Sequence, residues 1–519
     1  MKIHVARFVR TLILAVLFSG CGAVRPGDPA SATAAGRLPA IAPDYAGVVI
    51  PPNIAPLNFR VKEAGTAYYL RISSTQGTPI EVSDAHGRFQ IPLAPWKALL
   101  AANTGQPLHF EVFVCNEQGV WTRFNTIENT VAAERVDPYL AFRRMVPWYV
   151  TFREMDIYQR CVENFEERPL IENTVVGDPG EQCNNCHSFS GNRPDEMTIH
   201  ARFPFLMVIA RHGEVKAVDT RTELNTTPFA YAALHPNGKF AVYSVNKIVQ
   251  FFHNIGDTRD VFDYVSDLLL YDFDTNMVSA PPPIATADQL ETFPSWSPDG
   301  RYLYFCRTVT MPQADFPKRY REVKYDLVRI PFDPAANTWG EVEMVLSAAE
   351  SGASAGLPRV SPDGRLLAFS LSAYGTFPLF HTESDLYLMN LETRKFDKLA
   401  CNSDKSESWH EWSTNGRWMV FSSKRRDGLL TLPYFSFIDA DGRASKPFVL
   451  PQEDPGYYEQ SPETYSAPEF LTGPVPYSEQ SIADVFHQEK DAPKSYVGTR
   501  EHPGTREQCE DDAAPGNPT

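Results

Sequence analysis

An all-β chain is predicted, with a C-terminal β-propeller, an N-terminal β-sandwich and a short insert between them. Three observations carry this reading: an internal repeat built on a Pro-Asp-Gly turn, a separate run of strand-like segments upstream, and a cysteine- and histidine-bearing stretch with neither pattern. A length of 519 residues leaves room for two or three domains.

The repeat organises the C-terminal half. Phe293–Phe305 recurs as Leu357–Phe369 and again as Trp409–Phe421, with a weaker copy at Tyr231–Tyr243. Each copy has a short strand, a Pro-Asp-Gly or Asn-Gly turn, and a second strand of aromatic and β-branched residues. Glycine supplies the positive φ of a tight hairpin, and Asp or Asn tolerates the position beside it. Further strands follow at Asp267–Asp272, Tyr325–Ile330 and Ser384–Asn390, each with a turn and a polar closing strand such as Glu392–Leu399. Four strands recurring roughly every 50 to 65 residues is propeller arithmetic.

These repeats resemble the TolB-like β-propeller family, whose signature is a turn such as Ser297-Pro298-Asp299-Gly300-Arg301 followed by a hydrophobic strand. The resemblance implies a propeller over residues 203–475. Tyr465–Phe470 reads as the innermost strand of the last blade, which Leu206–Ala210 and Glu214–Val218 would complete from the other end of the ring. That gives about five blades. Six, the number typical of the family, is the alternative.

Upstream, residues 45–135 read as an immunoglobulin-like β-sandwich, with strands at Ala67–Ile72 and Leu108–Val114 and a hairpin turn at Asn116–Gly119. From 136 to 202 the texture changes. Tyr139, Phe142, Met145, Tyr149, Phe152 and Met155 are spaced three or four apart, which predicts a helical linker interrupted by Pro147. Residues 476–519 read as a polar tail.

Within the linker lies Cys183-Asn184-Asn185-Cys186-His187, the c-type haem attachment motif. Two thiols at this spacing form thioethers to the two haem vinyl groups, and the following histidine is placed to ligate the iron. With 8 Cys and 12 His, composition alone predicts about 0.003 such pentapeptides. Zinc would want a second close pair, and the sequence has no other Cys-x-x-Cys and no His-x-x-x-His. A thioredoxin-like motif would open a helix in a βαβ unit, whereas this one follows the turn-rich Gly177-Asp178-Pro179-Gly180. One covalently attached haem c is therefore expected, held by Cys183 and Cys186 with His187 on the iron. For the distal position His200 is the first candidate, Met197 the second and His253 a long-range third. A plain hydrogen-bonding histidine is the alternative role for His200.

The N-terminus addresses the chain. Residues 1–20 combine Lys2, Arg7 and Arg10 with a short apolar run, Leu12–Phe18, far below the ~20 residues needed to span a bilayer, and so read as a signal peptide. Ser19-Gly20-Cys21 resembles the bacterial lipoprotein box, which implies lipidation at Cys21. Residues 21–44 would form a flexible tether. No Asp follows Cys21, so the outer membrane is expected, with the lipid as sole anchor. A formal net charge of −16 argues against a nucleic-acid partner. Five cysteines then remain, and a bridge between Cys115 and Cys161 is one option.

No constellation supports an enzyme. Gly352-Ala353-Ser354-Ala355-Gly356 matches a nucleophile elbow in pattern, but it lies in a polar loop outside any α/β sheet. His410 is placed to line a propeller channel and is read as structural. The expected function is electron transfer, or docking of a redox or envelope protein partner. The alternative is a non-redox envelope scaffold with a structural haem.

Overall fold

The turns set the architecture. In the computed structural model, which describes residues 26, 31–146, 155–176, 184–201, 205–225, 227–251, 260–488 and 493–496, Ser297 closes its hairpin from both ends. Its hydroxyl donates to Asp299 Oδ1 at 2.6 Å and accepts from the Tyr302 N–H at 3.0 Å, while Gly300 turns the chain at φ 70°. The same two contacts and left-handed glycine recur at Ser361 and, with Asn415 for Asp, at Ser413. The first of these turns is also locked to its neighbour: a side chain at Gly300 would strike the His235 ring, 2.5 Å from a built Cβ.

Six sheets of four or five strands result, and their innermost strands touch in cyclic order. Those strands are Asn184–Ser190 (blade 1), Phe229–Leu234 (blade 2), Gln289–Trp296 (blade 3), Ser354–Val360 (blade 4), Glu407–Trp412 (blade 5) and Thr464–Leu471 (blade 6). The count of about five is thus corrected to the alternative, six.

Blade 6 joins the two ends of the propeller. Its inner strand, Thr464–Leu471, pairs antiparallel with Tyr139–Met145, then come Met155–Cys161 and Glu167–Ile171. The helical linker expected over 136–202 is therefore overturned, because that stretch supplies three strands of blade 6 and the first two of blade 1. The reason is burial on both faces. Leu140, Ala141 and Phe142 are consecutive and fully buried, so polar–apolar alternation is erased and the aromatic spacing imitates a helix. Leu206–Arg211 and Glu214–Asp219 belong to blade 1, not to the blade of Tyr465–Phe470.

The N-terminal unit has a seven-stranded and a three-stranded sheet, with the helix Leu93–Ala102 packed by Trp96, Leu99 and Leu100. Two of its pairings, Thr33–Ala34 on Trp121–Arg123 and Val49–Ile50 on Ile127–Val131, are parallel. Its core continues without a break into blades 5 and 6 through Trp418, Phe435, Phe448 and Phe470. Trp418 donates its indole N–H to Glu134 O at 2.9 Å, and Asp137 accepts from both the backbone N–H and the hydroxyl of Thr414. Beyond the propeller, Val475, Tyr477, Ile482 and Phe486 pack on the core shared by blades 6 and 1, so the polar tail begins later than residue 476.

Cys115 and Cys161 are free thiols, so the bridge left open between them is not formed. Ser354 of the hydrolase-like pattern donates its hydroxyl to Gly375 O at 2.6 Å, and Gly352 is the left-handed cap of a short helix. Neither forms an elbow. Among the described residues no helix is long and apolar enough to cross a membrane. Cys21, Cys183 and His253 lie outside the described residues.

Two buried carboxyls make stability depend on pH. Burial pushes Asp263 up to about 7, against hydrogen bonds from Asn246 and Thr376. Burial, with the charge of Asp267 adding to it, pushes Glu291 up to about 8 against a bond from Thr286. Both groups bind a proton more tightly folded than unfolded, so their contribution is full below pH ~4 and is lost as pH rises through the folded values. The wild type is expected to weaken between about pH 6.5 and 8, where unfolded histidines no longer bind protons to oppose the trend. Glu291→Gln should flatten urea midpoints across that window. A midpoint that instead rises with pH there would reverse the assignment.

Candidate functional site

The inner strands share a local distortion. Blades 2 to 5 each lose register between Ala230 and Ala233, Thr292 and Ser295, Gly356 and Arg359, and Ser408 and Glu411. At each bulge one residue takes a positive φ: Tyr231, Phe293, Leu357 and Trp409, with Ala467 doing so in blade 6. Left-handed backbone is costly for such side chains, and its repetition marks an over-determined position.

The bulges open on an axial cavity with an enclosed volume of about 100 Å³ below an open mouth. Tyr231, Phe293 and Trp409 form an aromatic wall, with ring centroids 4.6 to 6.1 Å apart. Arg359 and Glu411 form an ion pair at 2.8 Å, and with Glu469 and Ser188 they stand between this cavity and the opposite chamber of the channel.

Cys186 and His187 both line the cavity. They lie on the inner strand of blade 1, where Cys186 faces His200 across the ladder, His187 faces Ile199 and Phe189 faces Met197. Alternation sends the two side chains to opposite faces of the strand. His187 is turned toward blade 6, its Nε2 3.6 Å from Glu469 Oε1, while the half-buried Cys186 shares its face with Ser188, whose hydroxyl donates to Ala232 O of blade 2. Arg143 steadies the start of this strand through the Asn185 carbonyl at 3.0 Å, the Asn185 side chain, and Ser466 Oγ at 3.0 Å.

The His187 imidazole is fully enclosed, with the Ala467 backbone and the Glu469 carboxyl against its ring. Burial, helped by the Arg143 charge and opposed by the Ala467 backbone, lowers it to about 3. Glu469 is raised to about 8 by burial and by Glu411, with Arg359 opposing. Near neutral pH both partners are therefore mostly uncharged, and the close pair is no salt bridge.

The structure does not bring Met197 or His200 to this cavity. Met197 is 1% exposed in the apolar core with Ile199 and Phe189, and His200 is buried on the second strand of blade 1. Neither belongs to the lining of the cavity. A second histidine does: His410, on the inner strand of blade 5, which the sequence reading set aside as structural. Burial, with Arg359 adding to it, lowers His410 to about 3 against a hydrogen bond to the backbone of Ala368.

The residues present suit a c-type haem in their donors. They offer a thiol on the cavity wall, a neutral imidazole, aromatic faces, and the guanidinium groups of Arg143 and Arg359 to meet carboxylates.

No family model matches this sequence, and no curated protein matches it. Solved structures similar to the chain include TolB from Acinetobacter baumannii, with a TM-score of 0.39 and 12% identity over 73% of this chain and 85% of that one. They include Kuenenia stuttgartiensis hydrazine synthase, with a TM-score of 0.30 and 13% identity over 51% and 67%. Oligogalacturonate lyase from Vibrio parahaemolyticus has a TM-score of 0.31 and 12% identity over 73% and 100%. What the sheet topology of this chain establishes is architecture: an all-β protein whose propeller encloses an axial cavity.

Proposed function

We propose that this chain is an exported, lipid-anchored c-type haem protein that transfers electrons to, or docks, a redox or envelope protein partner. One observation carries the reading. The Cys-x-x-Cys-His motif runs directly into an innermost propeller strand, where His187 is enclosed and neutral beside an axial cavity. Cys183 and Cys186 would hold the group by thioethers, and His187 would offer a lone pair to its iron. When bound, haem supplies a one-electron couple. The protein's own part would be to offer the aromatic wall of Tyr231, Phe293 and Trp409 to that couple and the guanidinium groups of Arg143 and Arg359 to its carboxylates. Lipidation at Cys21 and an outer-membrane location complete the proposal and rest on the N-terminal sequence alone.

The test is expression alongside a haem-attachment system, followed by denaturing electrophoresis with haem staining. The wild type should stain, and the double variant Cys183→Ser, Cys186→Ser should lose all stain. Haem that survives denaturation in the double variant sinks covalent attachment. Attached haem without a reversible redox transition in potentiometry would assign the chain to the alternative, an envelope scaffold with structural haem.

A further inference from the structure

We infer that the long hairpin of blade 2 is a hinged arm whose hold on blades 3 and 4 is strong in acid and weak at and above neutrality, so that pH sets how firmly one wall of the axial cavity is backed. Its strands, Phe240–Phe251 and Asp260–Asp272, run 12 and 13 residues, against 8 and 8 for the matching pair of blade 3 and 7 and 6 for that of blade 4. The excess lies beyond the blade's own ladder. Pairing with the inner strand ends at Phe229 and Val245, and pairing with the outer strand begins only at Leu270. From Asn246 to Phe251 and from Asp260 to Ser266 the hairpin pairs with itself, and among the described residues it makes no backbone hydrogen bond to any other segment. Its docking therefore rests on side chains, and a two-stranded hairpin off its support is marginal in water.

Phe262 is the anchor. It is buried, stacks on Tyr374 at 6.1 Å, and meets Phe316 and Tyr320 edge-on at 5.9 and 5.1 Å. Gly375 leaves it room, since a Cβ there would lie 3.1 Å from the Phe262 ring. The same apolar cluster holds Phe293 and Leu357, which line the axial cavity, and Tyr231 and Trp409 pack on it. Lifting the arm thus takes support from the cavity wall, whatever the cavity binds. Beside the anchor, Asp263 is buried too. It faces Asn246 on the arm, the Thr376 hydroxyl of blade 4 at 3.4 Å, and Tyr325 of blade 3, which also feels Cys306 and Glu291. Asp267 and Arg307 act on Glu291, while behind Gly375 blade 4 places His381, paired with Glu383 at 3.1 Å. Among the described residues no cation offsets the burial of Asp263, which pushes it up to about 7. A buried carboxylate without a cation is costly and a buried carboxyl group is far less so, whereas a lifted arm returns the group to water. Asp263 binds its proton more tightly docked than lifted. Docking is therefore strongest below pH ~4, weakens by up to about tenfold per pH unit above that, and levels off once pH passes the docked value.

The test is amide hydrogen exchange on the full chain from pH 5 to 8.5, corrected for the intrinsic rate at each pH. Amides of residues 261–266 should be at least about tenfold less protected than those of Trp418–Ser423 in blade 5 at every pH, because the arm opens without the rest of the molecule. Their protection should fall about a hundredfold between pH 5 and 7 and level off above about 7.5. Asp263→Asn, a neutral side chain of the same shape, should hold the acid level of protection across the whole range, and wild-type protection in blade 5 shows that this variant is folded. Equal protection in the arm and in blade 5 overturns the hinge, because the arm would then open only with global unfolding. A fall in Asp263→Asn that matches wild type overturns the role of Asp263 and passes it to Glu291 or His381. A wild-type arm whose protection does not change with pH overturns the inference without any variant.

Discussion

Trp418→Ala should destabilise the protein by about 3–5 kcal/mol, among the largest single-residue effects in the molecule. The indole is fully buried where the N-terminal unit meets blade 5, stacked edge-on against Phe437 and donating to Glu134 O. Its removal leaves a cavity and strands the Glu134 carbonyl, and the two losses add. Urea unfolding followed by far-ultraviolet circular dichroism and by tryptophan emission reads the shift. Leu429→Ala, at a side chain 76% exposed, should stay within about 0.5 kcal/mol of wild type. A Trp418→Ala loss below about 1 kcal/mol would show that the N-terminal unit and the propeller do not share a core in solution.

That shared core was not legible in the sequence. Trp418 reads there only as the first residue of a repeat strand, and nothing local marks it as a contact for residues almost three hundred positions earlier. The middle blades were legible because their turns are chemically specified: a serine closes the loop, Asp or Asn accepts, and glycine takes the positive φ. The first and last blades lack that signature. The inner hairpin of blade 1 turns at Gly191 and Asn192, and blade 6 has no such hairpin because its inner strand comes from the far end of the chain. Those are the two blades the repeat count blurred, and the haem motif lies in one of them.

At the site, the five-residue spacing of Cys183 to His187 was readable as chemistry. Its placement was not. The short distance from His187 to Met197 and His200 suggested a loop folding back over a ring, whereas the ladder makes them a second strand of the same blade. His410 is remote in sequence, and only the alignment of inner strands puts it level with His187.

Removing residues 464–519 should abolish soluble, cooperatively folded protein. The truncation takes away the inner strand of blade 6 and with it Tyr465, Phe470 and Leu471, all buried. Tyr139–Met145 would then present a long unpaired edge, flanked by the uncovered Leu140 and Phe142, to the channel. Exposed edges of that kind pair with other chains. Soluble yield, size-exclusion profile and amide hydrogen exchange read the outcome, with aggregation expected in place of a monomer peak. A monomeric truncated chain with protected amides in blades 2 to 5 would show that ring closure is dispensable.

Closure by Thr464–Leu471 also sets an order of events during synthesis. The ring cannot shut until Leu471 has been made, 284 residues after His187 (471 − 187). At ribosomal speeds of about 5–20 residues per second, the strand carrying Cys186 and His187 stays accessible for roughly 15–60 s before the last blade can seal it in.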